Sequence, residues 1–505
     1  MIAARLSGIE RAVVVAVGAA TLLLVPDSLR SGIAHDAALM HYIAQRIIAG
    51  AVPYRDIFDV NMPVIYWIHV GVITILGPGD LAWCVFDLSA MAGIALCIYL
   101  AFPPSAKAFA VVAAATAWLY HLTDGGANSL GQRDFLVALP LAAFAAAYCR
   151  LIGGDRARAP LVMFLLGVLL GVATFMKPVA AALFVVFAAH DLIVRRLSRR
   201  TARDLLCFAA GGGAAATAIL LHLWAIGALA SFIDVQVNFV AATYARVRLP
   251  FEIRAAAAAI FAAAMLSVSA AAHGMGKRIL ASPIFVFFLL TLYGAFHVVA
   301  QGKYWVYHYH VMGLFGLFAT AAAYAELRAS AGRAIRLIGA LASATAVGAV
   351  AFDSGYAIRD VVANVAWSRP PVTDRLIVDL DGLGRAGRIV QPLDATNGII
   401  HALYLTNRPL PTRFMYGFPF LLDGSSPYLD GLRAEFLAAL RAAGYPPLVI
   451  AARQWPLESI DDPVPRWPGL AAVIASTYRL AVERDDPSLF HGYRIYVRRD
   501  QPDRP

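Results

Sequence analysis

The chain has 505 residues, 60% hydrophobic and 15% charged, with a mean hydropathy of +0.68 and a formal net charge of +10. Soluble globular chains run at about 45–50% apolar and about 25% charged residues, so a wholly water-soluble protein is excluded. A nucleic-acid partner is disfavoured too, because the basic residues fall in short loops between apolar runs, the pattern that orients membrane proteins.

Arg5 and Arg11 precede an apolar stretch that reaches about Leu29 and resembles a signal peptide. It lacks a small-x-small cleavage site at its end and is read as a retained first helix. Apolar runs of roughly 17–22 residues then recur, each long enough to cross a ~30 Å hydrocarbon core as a helix. About eleven spans are predicted, near 12–30, 83–102, 106–122, 135–152, 160–176, 178–194, 205–224, 255–272, 281–300, 306–325 and 334–352. With the N-terminus in the cytoplasm, the cytoplasmic connections are PPSAK, RLIGGDRARAP, VRRLSRRTARD, HGMGKR and ELRASAGRAIR, all of them basic. The fold class expected is a polytopic α-helical membrane protein with a C-terminal soluble α/β domain. The domains are a transmembrane domain over 1–352 and an extracytoplasmic domain over 353–505.

Residues 63–77 (PVIYWIHVGVITILG) are too short for a comfortable span. Counting them as one would move the arginine-rich loops outside, so they are placed as a helix along the interface. Residues 36–49, with Met40, Ile43 and Ile47 on one helical face, read the same way. The first outer loop is therefore two interfacial helices joined by AGAVPYRDIFDVNM. Beyond Val361, polar turns separate short apolar runs (RIVQPLD, PPLVIAARQ, YRLAVERD and YRIYVRRD), and LDGLRAEFLAALRAAGY reads as an amphipathic helix bearing Leu432, Phe436 and Leu440, followed by PPLVIAA and paired strands. NRPLPTRFMYGFPF reads as a loop able to reach back over the membrane site and help bind the acceptor. The four cysteines (Cys84, Cys97, Cys149 and Cys207) show no CxxC spacing, which gives no sign of structural zinc or a disulfide framework.

Outer-side polar residues gather in four places: Asp36, Asp56 and Asp59; DGGANSLGQRD (124–134); Lys177 in FMKP; and QGKYWVYHYH (301–310). Ionisable groups beside hydrocarbon are costly and are functional candidates for that reason. An acid opening an interfacial helix, AGAVPYRDIFDVNMP, then GQRDFLVALP, a Lys-Pro after span five and GKYWVYH before a late span together resemble the GT-C glycosyltransferases. The likeness is to bacterial relatives of protein mannosyltransferases and of the lipid A aminoarabinose transferase, and it covers roughly residues 10–325.

The resemblance implies inverting transfer of a sugar from a polyprenyl-phosphate donor to an acceptor hydroxyl outside the cytoplasmic membrane. The acceptor would belong to an envelope glycan, lipid or protein. Asp36 matches the family's first-loop acid and is assigned as general base. Asp134 matches the second-loop acid, which orients the acceptor or helps hold a divalent cation (Mg or Mn). Lys177, Lys303 and Arg133 are assigned to the donor phosphate. Asp59, Asp56, Tyr54, Gln132, Tyr304 and His308 are assigned to the substrate pocket, with Tyr304 and His308 one turn apart on a helical face. The chain departs from the family where many members carry two adjacent acids: His35 precedes Asp36 and Ala37 follows it. Structural alternatives stand beside these roles: capping for Asp36, a loop pair with Arg55 for Asp56, snorkelling for Lys177, and an interfacial belt for the 304–309 aromatics. His308 and His310, two apart, face different directions and do not suggest a metal site. Rival functions are a transporter or flippase for a lipid-linked substrate, an oligosaccharide ligase or polymerase of another membrane fold, and a structural assembly protein. A transporter calls for ionisable residues and broken helices at mid-membrane, whereas the charges here cluster at one face.

Overall fold

The structure is a computed structural model that describes residues 6–30, 32–33, 35–124, 130–154, 159–330, 332–362, 371–394, 398–422, 426–453, 462–485 and 492–500. Its main helices, in chain order, are α1 (Gly8–Arg30), α2 (His35–Ile48), α3 (Pro63–Leu76), α4 (Asp80–Ala101), α5 (Lys107–Thr123) and α6 (Arg133–Ile152). There follow α7 (Ala159–Thr174), α8 (Pro178–Arg195), α9 (Arg199–Ala225), α10 (Ala255–Met275), α11 (Pro283–Gln301), α12 (Val306–Ala329) and α13 (Arg333–Val362). All eleven predicted spans are helical. Among the described residues nine helices are long and apolar enough to cross a membrane, while α5 and α7, at 17 and 16 residues, fall just short of that length. By internal packing the chain forms two compact units: one of Met1–Arg30, Trp83–Leu221 and Val247–Trp367, the other of Ser31–Ala82, His222–Arg246 and Ser368–Pro505.

In the first unit α10, α11, α12 and α13 pack on one another, and α5 packs against α12 and α13. Small residues permit the close approaches. A Cβ at Gly211 of α9 would stand 1.9 Å from the Phe164 carbonyl oxygen, and one at Gly167 of α7 would stand 1.9 Å from that of Phe208. These two helices thus meet backbone to backbone, as lipid-embedded helices do where side chains are absent.

Polar cross-links join helix ends of the bundle. Glu10, in the first turn of α1, pairs with Arg328 at 2.8 Å and accepts from the Tyr324 hydroxyl at 3.0 Å, both near the end of α12. At this same end, which we term the Gly8 end, Tyr148 of α6 bonds His190 of α8, and His190 reaches the Leu280 carbonyl before α11. Arg195 there bridges Asp191 and Asp204. The start of α1 and the finish of α12 share a face only if an even number of crossings separates them. The ten helices of this unit from α1 to α12 satisfy that, and an added crossing over 63–76 would break it.

The second unit holds α2 and α3, packed on each other, together with a π-helical turn at Val235–Ala241 and the C-terminal elements. The latter comprise α14 (Pro371–Gly382), α15 (Ile399–Leu405), α16 (Pro427–Ala442) and α17 (Pro468–Thr477). Four strands, β1 (Gln391–Leu393), β2 (Leu448–Ala451), β3 (Tyr478–Arg484) and β4 (Tyr493–Arg498), lie in the order β1-β2-β4-β3. β1 and β2 are parallel and the other pairs antiparallel. The amphipathic helix read from the sequence is α16, capped by the Ser426 hydroxyl, which accepts from the Leu429 N–H, with Leu432, Phe436 and Leu440 buried.

Candidate active site

The polar residues at the opposite, Arg30 end of the first unit converge on Asp134. Gln132 is extended and the helical first turn Arg133–Leu136 follows it, a position where the helix dipole favours a carboxylate. Asp134 is fully buried. Its Oδ1 lies 2.5 Å from His297 Nε2, near the end of α11, and its Oδ2 lies 2.8 Å from Lys177 Nζ. Lys177 stands at the break between α7 and α8. Pro178 excludes the helical conformation from the residue before it, and Lys177 is extended, with φ −143° and ψ 110°. The Lys-Pro pair therefore ends one helix and presents the ammonium to Asp134 from the gap. In so low a dielectric each charge depends on the other, since removing either leaves a buried ion uncompensated.

His308 and Lys303 complete the cluster. His308, buried in the 3-10 turn Val306–Tyr309, meets the His297 ring edge-on at 6.0 Å and lies within the electrostatic reach of Asp134, Lys177 and Arg133. Lys303 is 3% exposed, and it follows Gly302, whose left-handed backbone (φ 62°) closes α11. Burial first, then the positive charges of Arg248 and Lys177, push its ammonium down to about 8. Arg133 and Gln132 occupy the turn that carries Asp134, with Gln132 buried and Arg133 half-buried. Of the residues predicted from sequence, Gln132, Arg133, Asp134, Lys177, Lys303 and His308 thus belong to one region of one unit.

Tyr304 differs from its expected placement. The helix begins only at Val306, and Tyr304 precedes it in the left-handed region (φ 53°), its ring edge-on to Phe251 at 5.0 Å. It shares no helical face with His308, because the irregular backbone that turns Lys303 inward breaks the period. His310 stacks on Tyr120, lies 3.5 Å from Asp124 Oδ2 and meets the His121 and Phe135 rings edge-on at 5.3 Å. Among the described residues no group of three or more His, Cys, Asp and Glu side chains is arranged to hold a metal ion.

Three participants escaped the sequence reading. His297 is the hydrogen-bond partner of Asp134, yet it sits alone in the apolar run LTLYGAFHVVA. Asp87 of α4 and His121 of α5 form a second buried pair at 2.7 Å, and the other Asp87 oxygen accepts the Gly131 N–H at 2.7 Å. Each is a lone ionisable residue inside a span, a signal that applies to every such position.

The second unit holds the remaining candidates. Asp36 is half-buried in the first turn of α2. Asp56 accepts from Arg55 at 2.8 Å and from the Val52 N–H at 2.8 Å, and the Arg55 guanidinium holds it below the usual carboxylate range. Asp59 is buried and accepts from the Tyr66 hydroxyl, the Tyr416 hydroxyl (2.9 Å), the Asn61 amide (2.8 Å) and the Asn61 N–H (3.0 Å). Tyr54, in the left-handed region (φ 67°), donates to the Asn61 carbonyl at 2.7 Å. Burial first, then the Asp59 charge, raise the Tyr54 and Tyr416 phenols well above their ordinary range. The 407–420 segment seals this knot: besides Tyr416, the Arg413 carbonyl accepts the Phe58 N–H at 2.7 Å. Asp59 therefore has its lone pairs filled by protein donors and anchors the first-loop turn.

The multi-helix unit and the unit that carries the small four-stranded sheet have their likeness among solved structures of membrane glycosyltransferases. ArnT from Cupriavidus metallidurans in the apo state superposes with a TM-score of 0.55 at 13% identity, over 97% of this chain and 98% of that one. The same enzyme bound to undecaprenyl phosphate gives 0.52 at 12%, over 96% and 97%. The archaeal oligosaccharyltransferase AglB from Archaeoglobus fulgidus, in complex with an inhibitory peptide and a dolichol-phosphate, gives 0.52 at 12%, over 96% and 74%. At these identities the likeness is one of fold. No family model matches the sequence, and no curated protein matches it.

Proposed function

We propose that the protein is an integral-membrane glycosyltransferase that moves a hexosyl or pentosyl group from a polyprenyl-phosphate carrier to an acceptor hydroxyl, with inversion. The observation that carries this reading is the buried cluster of Lys177, Lys303, Arg133 and His308 around Asp134, in a fold shared with lipid-phosphate-binding transferases. After Lys177 and Asp134 offset one another, Lys303 and Arg133 leave a net positive region suited to a phosphate headgroup. In the transfer step the acceptor oxygen attacks the anomeric carbon, and its proton passes to the Asp36 carboxylate. The bond from that carbon to the phosphate oxygen breaks, its electron pair stays on the phosphate, and Lys177, Lys303 and Arg133 offset the charge that develops there. Asp134 keeps Lys177 protonated and aimed. The resemblance also admits Mg or Mn. Asp134 and Asp59 have their oxygens engaged by protein donors, so neither carboxylate is arranged to hold such an ion.

The basic loops at the Gly8 end support a cytoplasmic position for that end. The reaction and residues 353–505 then lie outside the cytoplasmic membrane, and an envelope glycan, lipid or protein serves as acceptor. Mass spectrometry of envelope glycans from cells with and without the protein tests the reading, which fails if no glycan differs. Asp36→Asn at normal protein abundance should abolish the product, and unchanged product would remove Asp36 as the base.

A further inference from the structure

Asp87 lies in the second turn of α4, fully buried, with both oxygens engaged from outside its own helix. Oδ1 accepts the Gly131 N–H and Oδ2 meets His121 Nε2, each at 2.7 Å. Gly131 is left-handed (φ 63°), and a Cβ there would stand 2.1 Å from the ring of Trp83, one turn before Asp87 on α4. One face of α4 therefore shapes the turn that leads through Gln132 into Arg133 and Asp134. His121 grips the same segment from the other side, since its ring stacks on Phe135, next to Asp134, at 3.9 Å between centroids. A buried carboxylate is costly unless its hydrogen bonds are strong and well directed; here one bond ends on Gly131 and the other on His121, whose ring packs on Phe135 at the far end of the same turn.

We propose that Asp87 is a positioning residue: through Gly131 and through His121 on Phe135, it holds the Arg133–Asp134 turn so that the Asp134 carboxylate faces Lys177 and His297. The proposal rests on the reading of this cluster as the phosphate site, but it concerns a contact that can be followed without a donor sugar. Without the Asp87 carboxylate the turn loosens, Asp134 leaves Lys177, and the ammonium becomes reachable by a small reagent.

The experiment uses the full chain in lipid nanodiscs and reductive methylation by formaldehyde, with each lysine followed by mass spectrometry. Lys107 and Lys277, near the Gly8 end, act as internal standards. Asp87→Ala should raise Lys177 methylation about tenfold, the equivalent of one lost charge-assisted hydrogen bond, and leave the standards unchanged. Asp87→Asn should restore protection, because its amide oxygen still accepts the Gly131 N–H and its NH₂ meets the other tautomer of His121. Should Asp87→Ala fail to fold by size exclusion, Asp87→Ser takes its place with the same expected outcome. Undecaprenyl phosphate, added as probe, should bind about tenfold more weakly to Asp87→Ala than to the wild type. Equal Lys177 methylation in the alanine or serine variant and the wild type overturns the proposal, as does an asparagine variant that labels like alanine. A wild type that ignores undecaprenyl phosphate while Asp87→Ala still unmasks Lys177 upholds the positioning and counts only against the donor reading.

Discussion

Raising the pH should weaken binding of a lipid phosphate through Lys303. Burial and the neighbouring charges of Arg248 and Lys177 set its ammonium at about 8 in the free protein. An adjacent phosphate favours the charged amine and returns it toward or above its ordinary value of about 10.4. Binding then requires a proton on Lys303, so the loss appears as pH rises through the free-protein value and is absent below it. From about pH 7 to about pH 9 the protonated fraction falls from about nine-tenths to about one-tenth, which lowers apparent affinity about tenfold, or about 1.4 kcal/mol. Calorimetry of undecaprenyl phosphate binding in nanodiscs, in two buffers of different ionisation enthalpy, reads both the affinity and the proton taken up. Lys303→Arg, which cannot release its proton in this range, should flatten the profile and also corrects for titration of the phosphate itself. A wild-type affinity that holds constant from pH 7 to 9, or an arginine variant that falls in parallel, refutes the reasoning.

Three further outcomes follow from the packing. Lys177→Met should destabilise the protein by about 3–5 kcal/mol in thermal melts, because the buried Asp134 carboxylate loses its ammonium partner and keeps only His297, and adding Asp134→Asn should recover most of the loss. Tyr416→Phe removes one donor from Asp59 and should cost about 1–3 kcal/mol, read as earlier proteolysis of the second unit; no change would mean that the knot is not structural. In a background without native cysteines, Ser7→Cys and Lys277→Cys should react with an impermeant maleimide from one side of the membrane and Glu252→Cys from the other. Opposite labelling of Ser7→Cys and Lys277→Cys would put a crossing in 63–76 after all.

The spans were legible because a bilayer demands about twenty apolar residues at a stretch, and the chain meets that demand in widely separated runs. The expected sidedness rests on a related constraint, since each basic loop repeats the same charge bias. The four strands and α16 announced themselves by short apolar runs between turn residues. The site was only half legible. Lys177 could be found because Pro178 marks a helix break beside a charge, and Asp134 because its loop is polar. His297, Asp87 and His121 stand singly within greasy sequence, and their partners lie 163 and 34 residues away along the chain. Only the packing of α4, α5, α6 and α11 brings those pairs together. Tyr304 was misplaced because helical spacing was extended through a segment that Gly302 and Tyr304 itself turn left-handed.

The choice of cation carries a final argument. Only four of the 42 basic residues are lysines, namely Lys107, Lys177, Lys277 and Lys303, and two of those four lie buried in one cluster. Arginine serves almost everywhere else, including the ion pairs at Glu10, Asp191 and Asp379, where a planar fork fixes geometry. A guanidinium in place of Lys303 would be charged at all times and would repel Arg248 and Lys177 whenever no anion is bound. As pH rises through about 8 an ammonium releases its proton instead, which relaxes the repulsion in the free protein, and phosphate binding restores the charge. Lys303 therefore titrates, whereas Lys177 is held in its ion pair with Asp134. Lys303→Arg should accordingly bind undecaprenyl phosphate at high pH yet lower the melting temperature of the free protein. An arginine variant as stable as the wild type without ligand would show that the two lysines are interchangeable point charges.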